Sequence, residues 1–200
     1  MSPPGPRRLA VFGYGSLVSR ASIAETLGRE AAPPVPAELR GWRRRWSLVR
    51  DNRTAEKGFE PLAGEPFDHC LGLNVERLEP GEAASPGAPN GALIELTAAE
   101  LDRLDLREMR YHRVDVTGAF TDSGFDLVVT YTARPEHYAP APPERAVVIA
   151  GYVDAVEAAF TELGPGELER FRATTGEPPA PVVAARLVRD AIPPGNPRGW

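Results

Sequence analysis

The chain is poor in the residues that build covalent or metal-based centres. Its 200 residues include one cysteine, Cys70. That excludes an intrachain disulfide framework and a cysteine zinc site. Three histidines, His69, His112 and His137, stand apart, with no His-x-x-x-His or Glu-x-x-His pair. No metal site is therefore expected. No apolar run approaches the roughly 20 residues that a membrane span needs. The opening residues carry arginine and proline but no apolar signal core. Cationic charge is not in excess either: the net charge is −5, which argues against a general nucleic-acid binder. A cytoplasmic protein with no membrane and no nucleic-acid partner is the expectation.

Three nucleotide and nucleophile motifs are missing as well. They are tested against the stretch Val11-Phe12-Gly13-Tyr14-Gly15-Ser16-Leu17. A dinucleotide fingerprint needs a third glycine, and Val18 stands in its place. A phosphate loop needs Gly-Lys-Ser/Thr, which is absent. A nucleophile elbow needs serine between two glycines at alternate positions, but Ser16 precedes Leu17. What remains is an apolar strand, a glycine turn and a helix beginning near Arg20 or Ala21. Ser19 is the candidate cap and Ser22 its competitor. Glycine permits positive φ or close approach of the backbone. A turn of this kind is either a structural corner or a set of outward N–H groups suited to a carboxylate or oxyanion.

Two hundred residues and an ordinary apolar content suit one domain. We place it over residues 8–175, after a frayed terminus over 1–7. A proline-rich tail follows over 176–200, packed or extended, whose apolar run 182–192 suits a strand or a helix. Six or seven strands with a few irregularly placed helices predict an α+β domain rather than a doubly wound sheet. Ile23, Ala24 and Leu27 mark the first helix, which Gly28 ends. Thr97 and Glu100 form a capping box for a helix carrying Leu101, Leu104 and Leu106. Tyr152, Val156, Phe160 and Leu163 line a third helix, ended by Gly164. Residues 31–36 read as a proline-rich connector and 52–68 as a mobile loop. The run Trp42-Arg43-Arg44-Arg45-Trp46 reads as a strand with one wet face, its arginines keeping an edge soluble. Cys70 reads as a small buried apolar residue, and Tyr131 as strand core.

Glu108 is the second candidate. It stands where a helix hands over to a strand, beside Leu106 and Met109. A carboxylate so placed can take up and return a proton; the alternative is a surface glutamate paired with Arg107 or Arg110.

The opening Phe12-Gly13-Tyr14-Gly15-Ser16-Leu17 resembles the first loop of the γ-glutamylcyclotransferase superfamily. The triplet Arg107-Glu108-Met109, with Tyr111 and Val114, resembles its catalytic-glutamate segment, which the ChaC-like branch carries as Arg-Glu-Met. The Gly41-Trp42-x-Arg44-x-Trp46 strand and the Tyr152 helix fall in the same order. The resemblance covers roughly residues 9–163 and implies a small mixed-strand β-barrel with flanking helices. It implies a cofactor-free enzyme whose partner is a small γ-glutamyl substrate; a homodimer is a separate partner expectation. The substrate's α-amino nitrogen attacks its own γ-carbonyl, and 5-oxoproline and an amine or amino acid leave. By the same resemblance, residues Val11, Phe12, Gly13, Tyr14, Gly15, Ser16 and Leu17 would line the substrate pocket. Glu108 would be the proton acceptor, and Tyr152 either a hydroxyl contact or a core aromatic. Two other readings compete: a non-catalytic carboxylate-binding domain, and a hydrolase using Ser16 with His112 and Asp115.

Overall fold

The first strand contributes to two of the hydrophobic cores among the described residues. In a computed structural model describing residues 7–197, β1 (Leu9–Gly13) is buried from Ala10 onward. The terminus read over residues 1–7 lies outside the described residues except for Arg7, as do the last three residues of the tail. Successive side chains of a strand point to opposite faces. Phe12 therefore joins a large core with Trp46, Leu73 and Phe160, while Val11 joins a second with Leu17, Ile23 and Leu104. Burying a side chain of that size stabilises the fold by about 1.5–3 kcal/mol.

Around β1 lies a five-stranded sheet in the order β2-β6-β1-β8-β7, with β2 (Val35–Glu38), β6 (Asn90–Leu96), β7 (Tyr111–Asp115) and β8 (Leu127–Ala133). β1 is antiparallel to β6 and parallel to β8. A four-stranded sheet runs β10-β9-β5-β3, from β3 (Trp42–Asp51), β5 (His69–Arg77), β9 (Ala146–Ile149) and β10 (Val182–Val183). β4 (Lys57–Pro61) and β11 (Ala185–Asp190) make an antiparallel pair. The helices are α1 (Arg20–Leu27), α2 (Ala98–Arg107), α3 (Ala150–Leu163) and α4 (Glu167–Thr175). The domain is mixed α+β, and no described helix is long and apolar enough to cross a membrane.

Several expectations need correction. The strand ladders do not close into a barrel: β2 and β7 end one sheet, and β10 and β3 the other. Side chains make the connection between the sheets instead. The buried Asn74 of β5 accepts the N–H of Ala133 on β8 at 2.8 Å, and the Tyr111 hydroxyl donates to the Leu73 carbonyl at 2.8 Å. The described residues hold eleven strands, not six or seven. The extra ones lie in stretches whose proline and glycine content masked them, such as β2 and β4. The supposed loop 52–68 contains β4, held by β11 from the tail, so the run 182–192 is strand rather than helix. Leu106 is exposed, off the face of α2 that Leu101 and Leu104 bury.

The arginine-rich strand departs furthest from its reading. Trp42, Arg44 and Trp46 share the inward face of β3, and Arg44 is 0% exposed. Its guanidinium donates to the carbonyls of Tyr14 (3.0 Å), Asn90 (2.7 Å) and Phe171 (3.3 Å). It also donates to the hydroxyls of Thr174 (2.9 Å) and Thr175 (2.8 Å) and to the Asn90 side-chain oxygen (2.9 Å). It lies 4.4 Å over the Phe171 ring. Arg44 thus ties α4 and β6 to the glycine turn, and does nothing for the solubility of an edge.

Candidate active site

Two capping residues orient the site. Ser19 caps α1, its hydroxyl accepting the Ser22 N–H at 3.3 Å, and Gly28 closes that helix at φ +70°. Thr97 and Glu100 form the expected capping box on α2. At the other end of α2, Leu101, Leu104 and residue 108 follow an i, i+3, i+7 spacing, which lies on one helix face. That face is buried, so Glu108, the residue that ends the helix, turns inward and is only 8% exposed. Its carbonyl accepts the Tyr111 N–H at 2.9 Å, which starts the chain toward β7.

Glu108 lines a cavity of about 390 Å³, within the usual size range of small-molecule sites. Ser16, Ser19 and Ser22 come from the glycine turn and the start of α1. Leu48 and Arg50 come from β3, Phe59 from β4, and Cys70 to Gly72 from β5. Arg107, Arg110 and Tyr111 flank Glu108, and Tyr152 enters from α3. The turn and Glu108, some ninety residues apart in sequence, therefore face one space. The surface-glutamate alternative is half right: Glu108 does pair with Arg107, Nε to Oε1 at 3.1 Å, but the pair is buried. Arg107 is anchored in turn on α1, donating to the Ser22 carbonyl (2.9 Å), the Ser22 hydroxyl (2.7 Å) and Thr26 Oγ1 (2.5 Å). The cation that faces Glu108 is thereby fixed to the helix beyond the glycine turn.

Of the two turn glycines, Gly13 is the one needed for space, since a Cβ on Gly15 would meet only ordinary contacts. Neither Gly13 nor Gly15 has positive φ. A Cβ on Gly13 would stand 3.0 Å from Leu17 Cβ and 3.1 Å from its carbonyl carbon. A Cβ on Gly15 would stand 3.4 Å from the Tyr152 hydroxyl. The turn closes through Val18 N–H to the Gly15 carbonyl (2.9 Å) and Ser19 N–H to the Ser16 carbonyl (3.2 Å). The N–H groups of Gly15 and Ser16 make no hydrogen bond to the described residues.

The predicted pocket residues divide. Ser16 lines the cavity, and Tyr152 lines it while packing edge-on against Trp46 at 6.2 Å. Val11, Phe12 and Leu17 point their side chains into the two cores, and Gly13 and Gly15 are buried in the turn. Tyr14 is buried, its hydroxyl donating to the Tyr131 carbonyl at 2.7 Å. Burial first, then the neighbouring Glu108, pushes its phenol well above the ordinary tyrosine range. It is therefore a neutral donor. Tyr131 is core, its hydroxyl bonded to Asp105 at 2.6 Å. No histidine lines the cavity; His112 is exposed on β7, bonded to Thr132 at 2.8 Å. Ser16 thus has no imidazole to activate it.

Sequence reasoning missed Arg50, Ser22 and the buried Arg110–Glu56 pair. Arg50 reaches the cavity because β3 carries a bulge between Arg45 and Leu48, where one extra residue opposes β5. A bulge reverses the alternation of a strand and re-aims the side chains beyond it. No alternation pattern in the sequence could have signalled it.

The fold defined by these sheets and helices is that of the γ-glutamyl cyclotransferases. A solved γ-glutamyl cyclotransferase superposes with a TM-score of 0.53 at 16% identity, over 86% of this chain and 89% of its own. An uncharacterised protein from Homo sapiens gives 0.55 at 16% identity, over 86% and 90%. A yeast γ-glutamyl cyclotransferase specific to glutathione gives 0.51 at 13% identity, over 85% and 98%. No family model matches the chain, and no curated protein matches it.

Proposed function

We propose that the protein is a γ-glutamyl cyclotransferase-type enzyme with Glu108 as its proton-transfer group. The observation that carries this reading is the convergence of the buried Glu108, Ser16 of the glycine turn and Tyr152 on a single cavity. The fold and the Arg107-Glu108-Met109 triplet support it.

The reaction needs little more than such a cavity. Nucleophile and electrophile belong to one substrate, so holding a curled conformer supplies most of the advantage of proximity. The glutamyl carboxylate takes the Gly15 and Ser16 N–H groups, beside the start of α1. Glu108 accepts a proton from the neighbouring α-ammonium, whose nitrogen then attacks the γ-carbonyl. A new N–C bond closes the five-membered ring and the amide C–N bond breaks. Both protons lost by the ammonium end on the departing amine, one of them carried there by Glu108. No electron or co-reactant is consumed. Arg107 keeps the carboxylate aimed between turns of the cycle.

The test is a 5-oxoproline assay over γ-glutamyl amino acids, glutathione and γ-glutamyl amines. Release by the wild-type protein, lost in Glu108→Gln at an unchanged melting temperature, is the expected result. An active Glu108→Gln variant would overturn the assignment. Binding of these compounds without any turnover would favour the carboxylate-binding domain.

A further inference from the structure

Three arginines face the cavity, and two are already engaged. Arg107 holds Glu108 and α1. Arg110 forms a two-pronged pair with the buried Glu56. Arg50 has no such partner. It is half-buried at the end of β3, its guanidinium 5.1 Å over the Phe59 ring and beside the Cys70 thiol. Among the described residues no carboxylate lies within ion-pair distance of it. Glu25, the other acid on the cavity wall, is exposed on α1 and does not reach it.

A guanidinium withdrawn from water without a counter-charge is costly to keep. Its planar fork suits a carboxylate better than any neutral group. Glycine turn and Arg50 belong to different walls, one of β1 and α1, the other of β3, β4 and β5. If the glutamyl head lies on the turn beside Glu108, its own carboxylate is satisfied there. The rest of the molecule then extends from the γ-amide into the remaining cavity, where Arg50 is the unpaired cation. We infer that Arg50 binds a second carboxylate, the one on the leaving group. It selects γ-glutamyl amino acids or short peptides over γ-glutamyl amines that lack that charge. This inference rests on the reading of the head site given above.

Two compounds of nearly equal shape isolate the charge: γ-glutamylglycine, and γ-glutamylethylamide, whose methyl replaces the carboxylate. The wild-type protein is expected to prefer γ-glutamylglycine. Arg50→Met, which keeps an apolar stem against Phe59, is expected to lower kcat/KM for γ-glutamylglycine roughly 10- to 100-fold through KM. It leaves γ-glutamylethylamide unchanged. Arg50→Lys falls between, keeping the charge without the fork. Melting temperatures confirm that both variants fold. Equal losses on the two compounds would place Arg50 on the shared head and overturn the inference; so would no loss on either. Calorimetry in a Glu108→Gln background separates this from failure of the cyclisation reading. A preference for γ-glutamylglycine that Arg50→Met abolishes supports Arg50 even without turnover. Equal binding of both compounds contradicts it.

Discussion

Arg44 and Glu108 are both charged and both buried, but their surroundings differ. Arg44 is fully enclosed, and its three guanidinium nitrogens are met by carbonyls, hydroxyls and an amide oxygen from three segments of chain. Glu108 is nearly as well hidden and pairs with Arg107, yet the residue faces a cavity. Burial alone does not separate structure from chemistry. Saturation does. A buried charge whose hydrogen-bonding capacity is exhausted holds elements together. One that keeps capacity toward an open space can exchange a proton with something that enters it.

Breaking each charge should therefore break different things. Glu108→Gln is expected to lower 5-oxoproline release by about 10²–10⁴-fold with little change in a urea midpoint. Arg44→Met should do the reverse, costing about 3 kcal/mol or more by stranding several buried acceptors, as read by urea denaturation. Because Arg44 also holds the Tyr14 carbonyl, residual activity should show a raised KM at constant kcat. A stable Arg44→Met variant would mean that saturation is no guide here. Ser19→Ala removes a cap rather than a charge and should cost about 1 kcal/mol, with a modest effect on KM because α1 begins at the cavity wall. The smallest effect concerns Glu100. Its bonds with Arg29, and with Thr97 in the capping box, hold its carboxyl below the ordinary range. A lowered folded value contributes stability above the unfolded pKa of about 4.3 and loses it as pH falls through the folded value. Melting temperature in acid should therefore decline less steeply for Glu100→Gln. The difference is expected to stay below about 1 kcal/mol, since Arg29 is exposed.

Much of the site was legible because it depends on local chemistry. The Ser19 and Thr97 caps, the Gly28 and Gly164 stops and the glycine turn all follow from short-range preferences. The inward aim of Glu108 was also written in the chain, in the spacing of Leu101, Leu104 and residue 108, although Leu106 suggested a different face. Arg44 and Arg50 were hidden for another reason. An arginine on a strand reads as solvated, because the five residues that accept from Arg44 lie far away in sequence. Arg50 owes its direction to a bulge. The strand β4 was obscured by its glycine and proline, and its partner β11 arrives more than a hundred residues later. Closure of a barrel, implied by resemblance, is replaced by side-chain links through Asn74 and Tyr111.

A crystal structure of the Glu108→Gln variant with γ-glutamylglycine would test the central claim most directly. The account predicts the substrate's α-nitrogen within hydrogen-bond distance of the residue 108 side chain, and its glutamyl carboxylate on the Gly15 and Ser16 N–H groups. A ligand seated with its α-nitrogen remote from residue 108, or bound outside this cavity, would contradict it.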